Sequence, residues 1–459
     1  MKKAKAKKGK DLPSLGVLRP NSGGIDIGST DHYVCAPDAA QPGKAPEVRH
    51  FATTTPRLLE LVAWLKVRGI ESVAMESTSV YWIPLYEMLE TAGIDVVLVN
   101  ARQLHKVPGR KTDVADCQWI QKLHACGLLR GSFRPGAEIC ALRALSRQSE
   151  NLVVEQGKAV AWMQKALDQM NVQVHRAVTD LTGATGLAIV RAIVAGERDP
   201  LKLAGLRDPR CKKSVVQIAG YLQGTWKSEH LFNLGQALSL FDFLEAQLSH
   251  YRQTLDRMLA EITPPERRDQ PAPLHPKPAK AKASRQKGDE ALRATLWRLS
   301  GVDLTSIDGI GAGTAQVILT EVGPQLGAFP SEKDFVSWLH LCPRTAISGG
   351  KPLPKKRNGC GSNRIGGLLH IAALALAKSK SALGAQFRNT ARRKSGKIAV
   401  FSTARHLAVL VYRLLRHGQA YHDIGEKAFE ERFAAKRLAS LFSNAKKFGF
   451  TLSPLPTMG

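Results

Sequence analysis

The chain has 459 residues, with 66 Lys+Arg against 39 Asp+Glu and a formal net charge of +27. Hydrophobic residues make up 44% of it, enough to build cores and exclude wholesale disorder, and the length fits two or three domains. A positive excess this large repels itself in the compact state and points to a polyanionic partner, either nucleic acid or an anionic membrane surface.

Residues 1–21 read as a basic disordered arm carrying Lys2, Lys3, Lys5, Lys7, Lys8 and Lys10. No apolar h-region follows this charged start, and no uninterrupted apolar run approaches the roughly 20 residues a bilayer span needs. Secretion and membrane insertion are therefore not expected. The seven cysteines are scattered and form no C-x-x-C pair, which argues against a disulfide framework or zinc ribbon. The expectation is a soluble, cytoplasmic, nucleoid-associated protein that binds DNA or RNA.

From Gly23 the pattern is that of an α/β domain, assigned to residues 22–137. GGIDIG, HYVCAP and VRHFAT are three strand candidates in an antiparallel meander. Thr55 and Pro56 open a helix that ends at Gly69. A strand ESVAMES, a helix YWIPLYEMLETAG, a strand IDVVLVN and a helix from near Thr112 follow. The order βββαβαβα predicts a partly parallel mixed sheet with helices on its faces.

Residues 138–263 show long helical periodicity. Leu234, Leu238, Phe241, Leu244, Leu248, Tyr251, Leu255 and Leu259 make one apolar stripe. It is coiled-coil-like without a strict heptad, and serves either self-association or packing within one chain. Residues 264–290, rich in Pro, Lys and Arg, read as a linker. Residues 291–459 read as a mostly helical last domain with a basic Gly-rich loop between Arg344 and Gly367.

Asp26 lies in the apolar strand GGIDIG, and Glu76 ends the apolar segment SVAME. Burying such acids costs several kcal/mol, of order 2–7 or more, unless they are paired or bound to a metal. Asp113 and Asp116 stand three residues apart on one face of the next helix. Four carboxylates from two strands and a helix suit Mg²⁺, which takes hard oxygen ligands and is completed by substrate phosphates. Asp31 and Asp95 read as turn and strand start and are left out of this set. His105, His124, His340 and His370 are isolated, and no metal is assigned to them.

In the last domain the turn Ile307-Asp308-Gly309-Ile310-Gly311 leads into a helix. Gly309 and Gly311 would let backbone N–H groups approach a phosphate at that helix N-terminus. Further on, Ser348 precedes Gly349 and Gly350 among Arg344, Lys351, Lys355, Lys356, Arg357 and Arg364. Such cations stabilise a phosphoryl transition state. On composition alone Ser348 is a phosphate hydrogen-bond donor or plain loop serine more often than a nucleophile, and Ser362 is a rival in the same loop.

The set Asp26, Glu76, Asp113, Asp116, with the phrases GIDIGSTDHYV, AMESTSVYWIPLYEML and GRKTDVADCQWIQKL, resembles the RuvC-like (RNase H-like) domain of the DEDD-type insertion-sequence transposases, a family that includes the Piv-like DNA invertases. The C-P-R-x-x-x-S-G segment and the basic Gly loop resemble the C-terminal transposase domain of that family. The resemblance implies a serine DNA nucleophile at Ser348 working beside a metal-bearing carboxylate site. It also implies guidance by a bridge RNA, and a dimer or tetramer whose active sites are shared between chains.

The expectation is a site-specific recombinase in which Asp26, Glu76, Asp113 and Asp116 hold Mg²⁺ and Ser348 attacks the scissile phosphate. The alternatives are a RuvC-like junction endonuclease using activated water and a non-catalytic nucleic-acid scaffold.

Overall fold

The computed structural model describes residues 16–100, 104, 112–274, 283–343, 347–349, 351–352 and 363–453, with only the backbone described at 283–287, 347–348 and 351–352. The chain divides into two compact units, Met1–Arg134 and Pro135–Gly459. Of the basic arm, residues 1–15 lie outside the described residues. Its last residues, 16–21, are described and are not a free arm as expected: Leu18 and Arg19 are tied to the carbonyl of Ala125 by their backbone N–H groups.

In the first unit, β1 (Ser22–Ile27), β2 (Asp31–Ala36) and β3 (Glu47–Ala52) form the antiparallel meander. After α1 (Thr55–Val67), β4 (Ser72–Glu76) joins β1 in parallel; α2 (Trp82–Thr91) then leads to β5 (Asp95–Val99), parallel to β4. The five-stranded mixed sheet has the order β3-β2-β1-β4-β5, and α3 (Asp113–Ala125) follows.

Strand alternation assigns the two faces. Ile25, Ile27, Val34, Phe51, Val73 and Met75 turn to one side, where Leu58, Leu61 and Leu65 of α1 and Leu85 and Leu89 of α2 complete the larger core. The opposite side carries Ala74 and Val99 under Ile120 of α3. There α3 lies so close to β1 that a Cβ on Gly24 would stand 2.2 Å from the Gln121 nitrogen and 2.5 Å from the Cys117 carbonyl. Only glycine permits this approach.

The second unit is helical. α4 (Ala137–Gln169) is followed by the short helices α5 (Val174–Ala177), α6 (Ala184–Val194), α7 (Pro200–Gly205) and α8 (Val215–Tyr221), then by α9 (Ser228–Glu261). α4 and α9 run in opposite directions against each other: Gln156 bonds Glu245, while Trp162 and Ala166 share a groove with Asn233 and Leu240. Met163 and Leu167 of α4 and Leu234, Leu238 and Phe241 of α9 share a core with Ile189, Ile193 and Ile218. Leu244, Leu248, Leu255 and Leu259 are buried as well, so the apolar stripe of α9, apart from the half-buried Tyr251, packs within its own chain.

α10 (Ala283–Ser300), α11 (Ala312–Val322) and α12 (Glu332–Trp338) precede a two-stranded hairpin, β6 (Ile347–Ser348) and β7 (Lys351–Pro352). α13 (Arg364–Leu376), α14 (Ala382–Arg393), α15 (Gly396–His417) and α16 (Gly425–Lys447) complete the unit. α15 is long and apolar enough to cross a membrane by length and composition. Its Ala404, Leu407, Ala408 and Val411 are instead buried in this bundle, against α12, α13 and α14.

Two sequence expectations shift. Residues 283–290, assigned to the linker, form the start of α10, because Arg, Gln, Lys and Glu are good helix formers whatever their solubility. Residues 264–274 are also anchored: Arg268 donates to the carbonyls of Thr263 and Glu261, and Arg293 donates to that of Pro273. Arg364 and Gly367, assigned to the basic loop, belong to α13, which Asn363 caps by accepting from the Gly366 N–H.

Candidate active site

Asp26 and Glu76 reach one face of the sheet because both strands alternate in step. Ile25 pairs with Met75 across β1 and β4, so the next step of that ladder sets Asp26 beside Glu76, on the side covered by α3. α3 starts at this same end. Thr112 is its N-cap and accepts from the Ala115 N–H at 3.2 Å. Asp113 and Asp116 occupy the first turn, where the positive end of the helix dipole favours carboxylates.

All four acids line one open cleft of about 850 Å³, with Ser29, Thr30, Asp31, Tyr33, Thr78 and Trp119 also in its walls. The Thr78 hydroxyl donates to Glu76 Oε1 at 3.1 Å. Ser79, just beyond, holds a left-handed φ of 49°, an uncommon conformation for a residue with a side chain. Burial, the neighbouring Cys35 and the Asp26 carboxylate push the Cys117 thiol up to about 12. Cys117 is therefore a neutral thiol rather than a thiolate ligand.

Four hard oxygen donors of like charge in one cleft fit a divalent cation and a phosphate. Among the described residues, no three His, Cys, Asp or Glu side chains form a closed metal-ligating group. The acids share a cleft without converging on a single point. Asp31, set aside in the sequence because its flanks read as a turn, lines the cleft from that turn. Tyr33 and Trp119 were missed altogether, and the only sequence signal for either is its place inside the motif phrases.

In the second unit, β6 and β7 pair Ser348 with Lys351, and Gly349 turns between them with a φ of 56°. A Cβ there would meet nothing within 4 Å. Arg344, Lys355, Lys356 and Arg357 lie outside the described residues, as do Ser362 and the side chains of Ser348 and Lys351.

The far end of this loop is held at the end of α12. Asn363 Nδ2 donates to the Trp338 carbonyl at 3.2 Å, and a Cβ on Gly366 would stand 2.5 Å from the Leu339 oxygen. Gly309, with a φ of 90°, packs its turn onto Leu376 and Ala372 of α13, whereas the space around Gly311 is open.

Arg364 is not placed as a loop cation. Its guanidinium lies on Glu321 at 3.0 Å, on Glu150 and on Ser146. Glu321 is buried at the end of α11 and also pairs with Arg143 and, through two 2.8 Å hydrogen bonds, Arg147 of α4. Burial pushes the Glu321 carboxyl up, but Arg147, Arg364 and Arg143 outweigh it and hold it below the usual range. The cluster fastens α4, α11 and the first residue of α13 together. Arg364 would otherwise be a cation at the unfavourable end of a helix dipole.

Two family profiles match the chain. A DEDD transposase profile covers residues 23–172, and a profile of the IS116/IS110/IS902 transposase family covers residues 301–388. No curated protein matches. The first match contains the cleft and all four acids; the second contains the Gly309 turn, the Ser348 hairpin and α13. The mixed sheet of the first unit, followed along the chain by a helical unit, is consistent with an RNase H-like α/β domain followed by a transposase domain, and a DEDD domain implies divalent-metal chemistry. The chain thus carries the DEDD and transposase domains of the IS110 family, enzymes that cleave and rejoin DNA in the movement of insertion sequences.

Proposed function

We propose that the protein is a bridge RNA-guided serine recombinase of its insertion sequence, with Asp26, Glu76, Asp113 and Asp116 as the Mg²⁺-holding set and Ser348 as the nucleophile. The observation that carries this reading is the single cleft lined by acids from β1, β4 and α3, in a chain whose other matched domain presents Ser348 beside the turn at Gly349.

Bound Mg²⁺ would supply charge neutralisation at the scissile phosphate. The four carboxylates would hold that ion; as anions they repel a phosphodiester directly and face it only through the cation. Ser348 Oγ gives up its proton and bonds to phosphorus while the P–O bond to the deoxyribose breaks, and the freed hydroxyl takes up a proton. Attack by a hydroxyl of another strand reverses the step, conserves the phosphodiester energy and frees the serine. The cations Arg344, Lys351, Lys355, Lys356 and Arg357 fall beside Ser348 in sequence and serve the transition-state charge. A tetramer sharing sites between chains would bring the needed strands together.

Denaturing gels of the purified chain with its element DNA test the reading. Wild type is expected to give a covalent protein–DNA adduct that Ser348→Ala abolishes, and Asp26→Ala and Asp116→Ala are expected to lose cleavage by at least about 100-fold. Normal cleavage by Ser348→Ala would return the mechanism to activated water at the carboxylates. Sequencing the RNA that co-purifies tests the guide.

A further inference from the structure

The cross-strand row that begins with Glu76 and Asp26 does not end there. Asp26 pairs with Tyr33 on β2, and Tyr33 pairs with His50 on β3, the edge strand. All four side chains project from the α3 side of the sheet. The Tyr33 and His50 rings stand 5.9 Å apart and are tilted by 32°. Tyr33 is half-buried and lines the carboxylate cleft; His50 is exposed beyond it. Trp119, one turn after Asp116, lines the same cleft, and its indole N–H is buried without an acceptor.

The other face of the sheet packs a mainly aliphatic core under two helices, so this aromatic run is not part of that core. Carboxylates repel a bare phosphodiester, and a strand held against them needs attraction from another source. Aromatic faces supply it by stacking with bases of any identity. The unsatisfied Trp119 donor is a cost that a sugar or phosphate oxygen entering the cleft would offset.

We infer that Tyr33 and His50 floor a nucleotide subsite next to the carboxylates, with Trp119 as its wall, which takes a base of the DNA strand being cut. The subsite rests on the carboxylate reading above and adds to it a path for the strand, from Asp26 toward the β3 edge. Tyr33 contributes a stacking face, so its ring matters and its hydroxyl does not.

The test is photocrosslinking of full-length protein to single-stranded DNA carrying 5-iodouracil, in Ca²⁺ buffer at high salt, with adducts mapped by peptide mass spectrometry. The expected adduct falls on Tyr33 or His50. Tyr33→Phe should retain it within about twofold, and Tyr33→Ala should reduce it and weaken the oligonucleotide about tenfold. His50→Ala, on an exposed residue, provides a second reading should Tyr33→Ala fail to fold.

Adducts mapping only elsewhere, or unchanged by Tyr33→Ala, overturn the subsite. The two ideas fail separately. An Asp26→Ala chain that still processes DNA while cross-linking at Tyr33 removes the carboxylate reading alone. Loss of processing in Asp26→Ala with no Tyr33 adduct in wild type removes the subsite alone.

Discussion

Single residues in this protein are often defined by what sits opposite them. Glu321 is one buried acid against three guanidiniums. Removing its charge leaves those cations facing each other, so Glu321→Gln is expected to cost about 3–5 kcal/mol in chemical denaturation. Replacing Arg147, the most exposed of the three, should cost less.

His124 shows the opposite case. Burial and, secondarily, Arg19 lower its imidazole to about 4, where it shares a 3.0 Å hydrogen bond with Ser72. The unfolded chain then binds more protons between about pH 6.5 and 4, so stability falls as pH drops through that window. His124→Gln should flatten this part of the stability–pH curve by up to about 3 kcal/mol. Burial also lowers His32, which leaves some residual acid sensitivity.

At the scale of elements, the decisive contact is α3 on β1. Gly24→Ala would force the helix off the sheet and carry Asp113 and Asp116 away from Asp26. The expected result is a loss of about 1–3 kcal/mol in thermal unfolding together with loss of DNA cleavage.

The elements themselves were legible in the sequence. Alternation exposed β1 to β5, and the acids announced their cleft because charge inside apolar strands has few other uses. Tyr33 and His50 were not legible, since which residue faces Asp26 depends on strand register, and that is set between segments rather than within one. Arg364 was misread for a related reason. Its composition matched a basic loop, while its true partners, Glu150 and Glu321, come from α4 and α11.

For the whole molecule, the net charge of +27 predicts binding dominated by phosphate neutralisation. The log of the DNA affinity should fall with log salt by about 0.9 per phosphate contacted. Deleting residues 1–15 should make that slope shallower, by up to about 5 if all six arm lysines engage. An unchanged slope would show that the arm stays off the DNA.

The placement of α4 also matters for anyone who divides this chain. The first family match runs to residue 172 and so includes α4, whereas the compact units part at Arg134 and Pro135. Homology and compact packing therefore draw the border in different places. A fragment begun at residue 173 would lack Met163 and Leu167, strip one wall from the shared core and leave Glu321 without Arg143 and Arg147. It should aggregate on expression. A fragment begun at Pro135 keeps that wall and those partners and should remain monodisperse, which makes Arg134–Pro135 the place to divide the chain for separate expression of its two units.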